Sequence, residues 1–489
     1  MRRETREYNY DWNIWSIIEN ASLTYDGSPK EYESLLRLIP NFRDTLDAII
    51  SQGEPGILLL KLLSKYLKKL ITAHDEGKLT AMTTFCFAPP VLYAFDVVPL
   101  LLEPMTVFGT FVLQRGTGEY LDYCCEVGFT ETSCSSQRGA LGAYLAGLGV
   151  RPDMIICDSA GICDTNANSY SFASAYMDIP FYQLCYPPTL TDERAGAYHR
   201  QDFRGLISFL EEQTGRKLDM DRLRDVIEEI EKQTELINEF TEYQRLIPSP
   251  IPSIFNLFLY SGNFLMGGTK DFTALLESML KKIRENAEQG LSGTSSGRER
   301  IRGFFSYIDH YTTDLRFWNF LDAHDISHLG CILSSFWEEG ASYSSQHEDA
   351  TFRICKNSLD DINDTLALQV SRMPMVKSIR GPYDAPNMWL DDTIIMTNVM
   401  KADFVAYFGT IGCRNTWGMV KPYARDLERR GIPTLIIYAD SFDDRVQSWE
   451  AVTDKISEFI HLRGLDKKRG IEEGREMMNP SSKRYLSIR

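Results

Sequence analysis

The stretch ADFVAYFGTIGCRNTWGM occupies residues 402–419, and it decides the fold that the sequence predicts. Its apolar run, residues 404–408, is short and is bounded by glycine, which is typical of a buried strand in a parallel sheet. A polar helical pattern follows through Arg430, and residues 434–438 predict the next strand. The stretch therefore predicts a strand, a glycine turn, a helix and a strand, which is the repeating unit of an α/β fold.

Cys413 lies in the turn of this unit, directly after Gly412, where the predicted strand ends and the helix begins. Ligands bind at that edge in open α/β sheets. A thiol near the N-terminus of a helix is also favoured in its thiolate form. The position therefore suits a thiol that binds a metal or acts as a nucleophile.

The alternation of strands and helices recurs along the chain and predicts two α/β domains. In the first domain we expect strands at residues 81–87, 154–158 and 181–185, and the helix of small residues at 139–147 is expected to pack closely on a sheet. In the second domain, strands at residues 302–308 and 328–333 precede the two already described. Strands that alternate with helices predict parallel sheets. The expected fold class is α/β, with two doubly wound, flavodoxin- or Rossmann-like sheets.

Helical periodicity predicts the remaining segments. A leucine-rich face at residues 58–70 is interspersed with lysines, and we expect it to pack inside the protein; contact with a membrane surface is the alternative. Helical spacing continues after the first α/β domain and ends in a loop rich in Gly and Ser. The expected division is an N-terminal helical region (1–76), a first α/β domain (77–194), a helical insert (195–298), a second α/β domain (299–465) and a tail (466–489).

Charge and hydropathy exclude several classes of protein. The formal net charge of −16 argues against nucleic acid as the main partner. The first seven residues, MRRETRE, lack the apolar core of a signal peptide. The longest apolar segment, residues 85–102, is interrupted by prolines and by Asp96, so no membrane span is predicted. We therefore expect a cytoplasmic protein.

The chain has ten cysteines, which are not expected to form disulfides in the cytoplasm and include no CxxC pair. Three of them, Cys134, Cys163 and Cys413, stand at the starts of predicted helices, two in the first α/β domain and one in the second. These thiols could converge in a cleft between the domains, where three thiolates suit an iron–sulfur cluster with one open iron site. The alternative is that scattered cysteines are small buried apolar side chains.

An ordered set of motifs carries a family resemblance from about residue 80 to residue 462. It resembles the 2-hydroxyacyl-CoA dehydratase and ATP-dependent benzoyl-CoA reductase family, particularly the larger catalytic subunits. The motifs are the segment from Cys134 to Gly147, Gly-Ile-Cys163-Asp, Thr214-Gly-Arg-Lys-Leu-Asp, Ile247-Pro-Ser-Pro-Ile-Pro, Gly-Cys413-Arg, Gly431-Ile-Pro and Asp440-Ser-Phe-Asp-Asp-Arg445.

The resemblance implies a [4Fe-4S] cluster that is held by Cys134, Cys163 and Cys413, with the fourth iron position open. Cys86 is a possible extra ligand, with a buried thiol as the alternative. One branch of the family carries a double cluster and acts as a reductase, and the surplus cysteines keep that branch open. The remaining cysteines are expected to be buried thiols: Cys124, Cys125, Cys157, Cys185, Cys331 and Cys355.

The activity that the resemblance implies is dehydration of an (R)-2-hydroxyacyl-CoA through a ketyl radical anion, after a separate iron–sulfur ATPase activator injects one electron. The alternative within the family is a benzoyl-CoA reductase type of subunit, in which the electrons stay on the aromatic ring. The implied partners are a second homologous catalytic subunit or another copy of the chain, the activator and the acyl-CoA substrate. The chain has no GxxxxGK[ST] loop, so ATP is expected only on the activator. A third hypothesis is a non-catalytic α/β binding protein whose cysteines only fill the core.

Several other polar residues are expected to have structural roles, and no catalytic residue is assigned. Arg138, Arg414 and Lys421 are expected to solvate helix surfaces, with CoA phosphate binding as the alternative. His310 and His324 are expected to be structural hydrogen bonders, with proton transfer as the alternative. The segment Asp440, Asp443, Asp444 and Arg445 is expected to form a loop network rather than a metal site.

Overall fold

The structure is a computed structural model, and it describes most of the chain. The described residues are 9–24, 37, 42–84, 90–113, 116–157, 163–185, 192–307, 316–331, 355–371, 389–410, 412–413, 417–440, 442–443 and 445–467. The helices in these ranges are α1 (Tyr10–Thr24), α2 (Phe42–Ile50), α3 (Glu54–Thr72), α4 (Pro90–Ala94), α5 (Leu102–Leu113), α6 (Gly116–Glu126), α7 (Ser135–Leu145), α8 (Asp164–Met177), α9 (Glu193–Thr214), α10 (Met220–Gln244), α11 (Phe255–Met266), α12 (Lys270–Gln289), α13 (Arg316–Ala323), α14 (Leu359–Ser371), α15 (Trp389–Val399), α16 (Val420–Arg429) and α17 (Trp449–Leu462).

The first sheet contains β1 (Thr80–Thr83), β2 (Val98–Leu101), β3 (Met154–Cys157) and β4 (Phe181–Gln183), in the order β2-β1-β3-β4. All described pairings in it are parallel. Strand β2 was not predicted from the sequence, because proline is normally depleted in strands. Pro99 is tolerated here because β2 lies at the edge of the sheet, where one row of backbone N–H groups needs no partner strand.

The second sheet contains β5 (Ile301–Tyr307), β6 (Ile326–His328), β7 (Phe404–Gly409) and β8 (Thr434–Tyr438), in the order β6-β5-β7-β8. Its described pairings are also parallel, and Gly409 pairs with Tyr438 at the end of the ladder. The prediction of a strand at 328–333 was wrong in position, because β6 ends at His328. Gly330 then takes a φ of 88°, which turns the chain out of the extended conformation.

The predicted α/β fold class is confirmed by these two parallel sheets and the helices between their strands. The carboxyl ends of parallel strands lie at one edge of a sheet, which is where ligands bind in this architecture. Cys163 follows β3 and Cys413 follows β7, so each thiol lies on a segment that begins at this edge of its sheet. Each of these strands lies inside its sheet rather than at the margin.

The leucine-rich helix α3 packs inside the protein, as predicted. Most of its apolar side chains are buried, whereas its lysines lie on the exposed side. It contacts α1 and α12, and Lys65 pairs with Asp271 of α12 at 2.7 Å. Across the described ranges, none of the helices combines the length and the apolarity that crossing a lipid bilayer requires.

The small-residue helix α7 is buried along its whole length. Its main contacts are with helices α5 and α6 rather than with the sheet, which corrects the expectation of packing on a sheet. The reason is the approach of α6: a Cβ on Gly142 would lie 2.7 Å from the carbonyl carbon of Tyr120 and would overlap the oxygen. Small residues in α7 therefore allow the backbones of two helices to touch.

Candidate thiol site between the two sheets

Cys134 caps the N-terminus of α7 and is only 8% exposed. The loop that leads to it is closed by Arg138, one turn into the helix. The Arg138 guanidinium donates from Nε to the carbonyl of Ser133 and from Nη2 to that of Glu131, both at 3.0 Å. Because these carbonyls immediately precede Cys134, Arg138 restrains the backbone that positions this thiol.

Cys163 caps the N-terminus of α8, just beyond β3. Its sulfur accepts a hydrogen bond from the backbone N–H of Asn166 at 3.4 Å. Such N–H groups at a helix start stabilise a thiolate more than a neutral thiol.

Cys413 lies in the loop after β7, and its backbone N–H donates to the carbonyl of Thr410 at 2.8 Å. The preceding residue, Gly412, touches the other thiol loop. A Cβ on Gly412 would lie 2.7 Å from the backbone nitrogen of Cys134 and 2.7 Å from the carbonyl carbon of Ser133. The loop that carries Cys413 on the second sheet therefore packs directly against the start of α7 beside the first sheet.

The three thiols interact electrostatically. Burial raises the pKa of Cys134 well above its ordinary value, and the nearby Cys413, Cys163 and Asp440 raise it further. Burial raises the pKa of Cys163 to about 12, with a further contribution from Cys413. The thiols from both sheets thus share one site. For Cys134 and Cys163, desolvation outweighs the effect of the helix N-terminus, which by itself favours the thiolate.

The chemistry of the donor atoms decides which metal ion or cluster this site can hold. Among the side chains of the described ranges, no three His, Cys, Asp or Glu residues are arranged to hold a single metal ion. In an iron–sulfur cluster, by contrast, each thiolate binds a different iron, and the ligands stand further apart. Three thiols without a histidine or carboxylate among them fit such a cluster by their chemistry. Cys86, the possible extra ligand, lies outside the described residues.

The loop after β8 reaches from the second sheet to the helices of the first. Oδ1 of Asp440 accepts hydrogen bonds from the hydroxyl of Ser135 and from the backbone N–H groups of Phe442 and Asp443, the latter two at 3.0 and 3.1 Å. Burial raises the pKa of Asp440.

Arg445 extends the same loop network. Its guanidinium pairs with Asp443 at 2.7 Å and with both carboxylate oxygens of Asp122, on α6, at 3.0 Å. The predicted loop network is therefore confirmed for Asp440, Asp443 and Arg445, whereas Asp444 lies outside the described residues.

A buried polar network next to Cys163 was not predicted from the sequence. The side chain of Asn166 donates to Thr84 at 3.0 Å and accepts from Gln137, which also donates to Glu103 at 3.3 Å. Glu103 is 4% exposed and contributes to the raised pKa of Cys163. The available signal was the occurrence of Glu103 directly after an apolar run and of Gln137 within a helix of small residues.

The other predicted residues have mixed outcomes. The surface-solvating interpretation was wrong for Arg138, which is 6% exposed and bonded to backbone carbonyls. Lys421 is exposed on α16, in agreement with that interpretation. His324 bonds through Nδ1 to the carbonyl of Phe320 at 2.8 Å, which supports a structural role. His310 and Arg414 lie outside the described residues.

The remaining cysteines are divided by burial. All nine cysteines in the described ranges are free, so the expectation of no disulfides is confirmed for them. The prediction of buried thiols is confirmed for Cys124, Cys157 and Cys331. It was wrong for the remaining described cysteines, which are half-buried: Cys125, Cys185 and Cys355.

The fold and the site define a class: an α/β protein in which two parallel sheets contribute thiols to a shared site. A model of the family described as "2-hydroxyglutaryl-CoA dehydratase, D-component" matches residues 85–462. This range covers most of the chain and includes Cys134, Cys163 and Cys413. The chain belongs to this family, as its resemblance predicted.

Two curated relatives are similar to parts of the chain. The lactoyl-CoA dehydratase subunit alpha of Anaerotignum propionicum is 24% identical over 253 residues, which cover 47% of this chain and 59% of the relative. The (R)-phenyllactyl-CoA dehydratase alpha subunit of Clostridium sporogenes is 26% identical over 221 residues, which cover 42% of this chain and 53% of the relative. The chain thus spans a little more than half the length of these relatives.

Proposed function

We propose that this chain is a catalytic subunit of a 2-hydroxyacyl-CoA dehydratase and that Cys134, Cys163 and Cys413 hold a [4Fe-4S] cluster in it. The reaction removes water from a 2-hydroxyacyl-CoA and leaves a 2-enoyl-CoA. The observation that carries the proposal is the contact of the Cys413 loop on the second sheet with the backbone of Cys134 beside the first sheet, in a chain of this family. The influence of Cys413 on the pKa values of Cys134 and Cys163 supports it. The names of both relatives support a CoA thioester as the substrate.

A bound cluster would supply one-electron transfer and an iron that acts as a Lewis acid. The thiols of Cys134 and Cys163 have raised pKa values, so they must release their protons when iron binds. The N–H of Asn166 then stabilises the sulfur of Cys163. Glu103 is the carboxylate in the polar network beneath this site, and it holds Gln137 and, through it, Asn166 in place.

The assembly is also part of the proposal. Both relatives are named as alpha subunits, which supports a second subunit as a partner of this chain. A separate ATPase activator is proposed as the electron donor, since the chain lacks a phosphate-binding GxxxxGK[ST] loop. Both names describe dehydratases, which favours dehydration over ring reduction.

The cluster is tested by iron and acid-labile sulfide analysis of the chain purified without oxygen. We expect wild-type protein to be brown, and we expect Cys134→Ala, Cys163→Ala and Cys413→Ala each to lose most of the iron. Matched controls are Cys124→Ala and Cys331→Ala, which remove buried thiols and should retain it. Full iron in all three site variants contradicts the ligand assignment.

The activity is tested with the partner subunit, the reduced activator and a set of 2-hydroxyacyl-CoA esters. A dehydratase forms many enoyl-CoA molecules for each electron supplied, because the electron is recycled. A reductase consumes electrons in proportion to product. Stoichiometric consumption, or no product from any ester with a fully loaded cluster, contradicts the proposed activity.

A further inference from the structure

We propose that Gly412 and Asp440 are positioning residues that fix Cys413 against Cys134 across the two sheets. They act at two points of one interface, where the second sheet meets the N-terminus of α7. The consequence for a cluster depends on the proposed function, but the positioning itself does not.

The first point is a contact between backbones. Gly412 lies so close to Ser133 and Cys134 that a Cβ would be 2.7 Å from the Cys134 nitrogen. This separation is shorter than any normal contact of a Cβ atom with backbone, and backbone atoms cannot rotate away as a flexible side chain can. Any residue larger than glycine must therefore push the Cys413 loop away from the Cys134 loop.

The second point is a hydrogen bond. Asp440 reaches the hydroxyl of Ser135, the residue after Cys134, and is itself oriented by the N–H groups of Phe442 and Asp443. The loops that carry Gly412 and Asp440 leave neighbouring strands at the same level, since Gly409 pairs with Tyr438. The two contacts therefore act from one rigid edge of the second sheet on one end of α7.

The two contacts restrain the distance between the loops in opposite directions. Gly412 limits how far the loops can approach, and the bond from Ser135 to Asp440 limits how far they can separate. A buried hydrogen bond to a carboxylate is stronger than one between neutral groups. Together they restrain the distance between two thiols that belong to different sheets.

The test is chemical cross-linking of the thiols in the reduced, full-length chain after chelation of iron. Dibromobimane joins two neighbouring thiols, and peptide mass spectrometry identifies the pairs that it joins. We expect Asp440→Ala and Ser135→Ala each to lower the Cys134–Cys413 yield about tenfold, the change expected from losing about one buried hydrogen bond to a charged group. We expect Gly412→Ala to lower this yield at least as far, because its Cβ overlaps backbone atoms of Ser133 and Cys134. Asp440→Asn keeps an oxygen acceptor and should retain most of the yield.

The chain provides its own reference and controls. Cys134 and Cys163 both lie beside the first sheet, so the Cys134–Cys163 yield should stay constant in every variant. Gly418→Ala adds a Cβ where no atom lies within 4 Å, and Ser136→Ala removes the hydroxyl next to that of Ser135, the one that donates to Asp440. Both controls should behave as wild type. An unchanged Cys134–Cys413 yield in Gly412→Ala and Asp440→Ala, or an equal fall in both cross-links, overturns the positioning role.

This outcome is separable from the proposed function. Wild-type chain that takes up no iron, but whose cross-linking responds as described, contradicts the cluster and supports the positioning. Wild-type chain that takes up iron, but whose cross-linking is insensitive to these variants, supports the cluster and contradicts the positioning.

Discussion

Tyr144 donates a hydrogen bond of 2.6 Å from its hydroxyl to Oδ1 of Asp11, a side chain that is 0% exposed. Oδ2 of the same carboxylate accepts from the backbone N–H of Val150, also at 2.6 Å. These bonds join α1 to both ends of the turn that follows α7. The N-terminal helix is therefore tied to the helix that Cys134 begins.

The first prediction concerns the pH dependence of stability through Asp11. Burial raises its pKa from 3.8 to about 6, so the folded protein holds this proton more tightly than the unfolded chain. The stability from this group is complete below about pH 4 and is lost as the pH rises through about 6. We expect Asp11→Asn to lose this dependence, so that its free energy of unfolding rises relative to that of wild type by about 2–2.5 kcal/mol between about pH 4 and about pH 7.

Urea denaturation at the two pH values measures this difference directly. The reference is Asp47→Asn, at an exposed carboxylate of α2. Equal pH dependence of wild type and Asp11→Asn shows that Asp11 does not titrate as described.

The second prediction concerns the helix contact at Gly142. Gly142→Ala adds a methyl group against the backbone of Tyr120, and we expect a loss of about 1–3 kcal/mol in stability from overpacking. Gly196→Ala is the matched control, because this helical glycine has open space around it. It should stabilise the protein by about 0.5–1 kcal/mol through helix propensity. Thermal unfolding compares the two, and equal shifts argue against the close helix contact.

The third prediction concerns the fully buried guanidinium of Arg302. It pairs with Glu299 at 2.7 Å and also donates to backbone carbonyls of Gln244 and Met400, which joins α10 to the second sheet. We expect Glu299→Gln to cost about 3–5 kcal/mol, because a buried cation loses its counter-charge. The measurement is the midpoint of urea unfolding.

The matched control for this ion pair lies on the surface. Arg284 and Glu239 pair at 2.6 Å, with 47% and 31% of their side chains exposed. Glu239→Gln should cost less than about 1 kcal/mol because solvent screens the pair. Similar costs for both variants would refute the role of burial.

The fourth prediction concerns Arg138, which closes the loop before Cys134. Lysine keeps the charge but has no planar fork, so Arg138→Lys cannot satisfy the carbonyls of Ser133 and Glu131 together. We expect a loss of about 1–3 kcal/mol and faster amide exchange in residues 131–134. Arg151→Lys is the control, because the exposed Arg151 also bonds to carbonyls. Unchanged exchange in this loop rules out the restraint.

Local pattern predicted most strands of ordinary composition, although it misplaced β6, and it missed β2. Residues 404–408 and 434–438 are apolar runs between turn residues, and both form strands in the expected places. β2 contains proline, which only an edge position tolerates, and the edge position is a property of the assembled sheet. Helix α7 was predicted as well, but its packing against α5 and α6 was not. Small residues allow a close approach to a helix or to a sheet, so they do not identify the partner.

The sequence by itself determined the α/β class, the parallel sheets and the positions of Cys134 and Cys163 at the starts of helices. These features depend on periodicity, turn residues and charges within short segments, so the local sequence is sufficient to predict them. Only the tertiary structure decided that thiols from both sheets meet, that Arg138 is buried, and that Asp440 reaches Ser135, 305 residues away in the chain. The physical reason is that burial and long-range hydrogen bonds arise from how the two sheets pack, and local sequence carries no record of that packing.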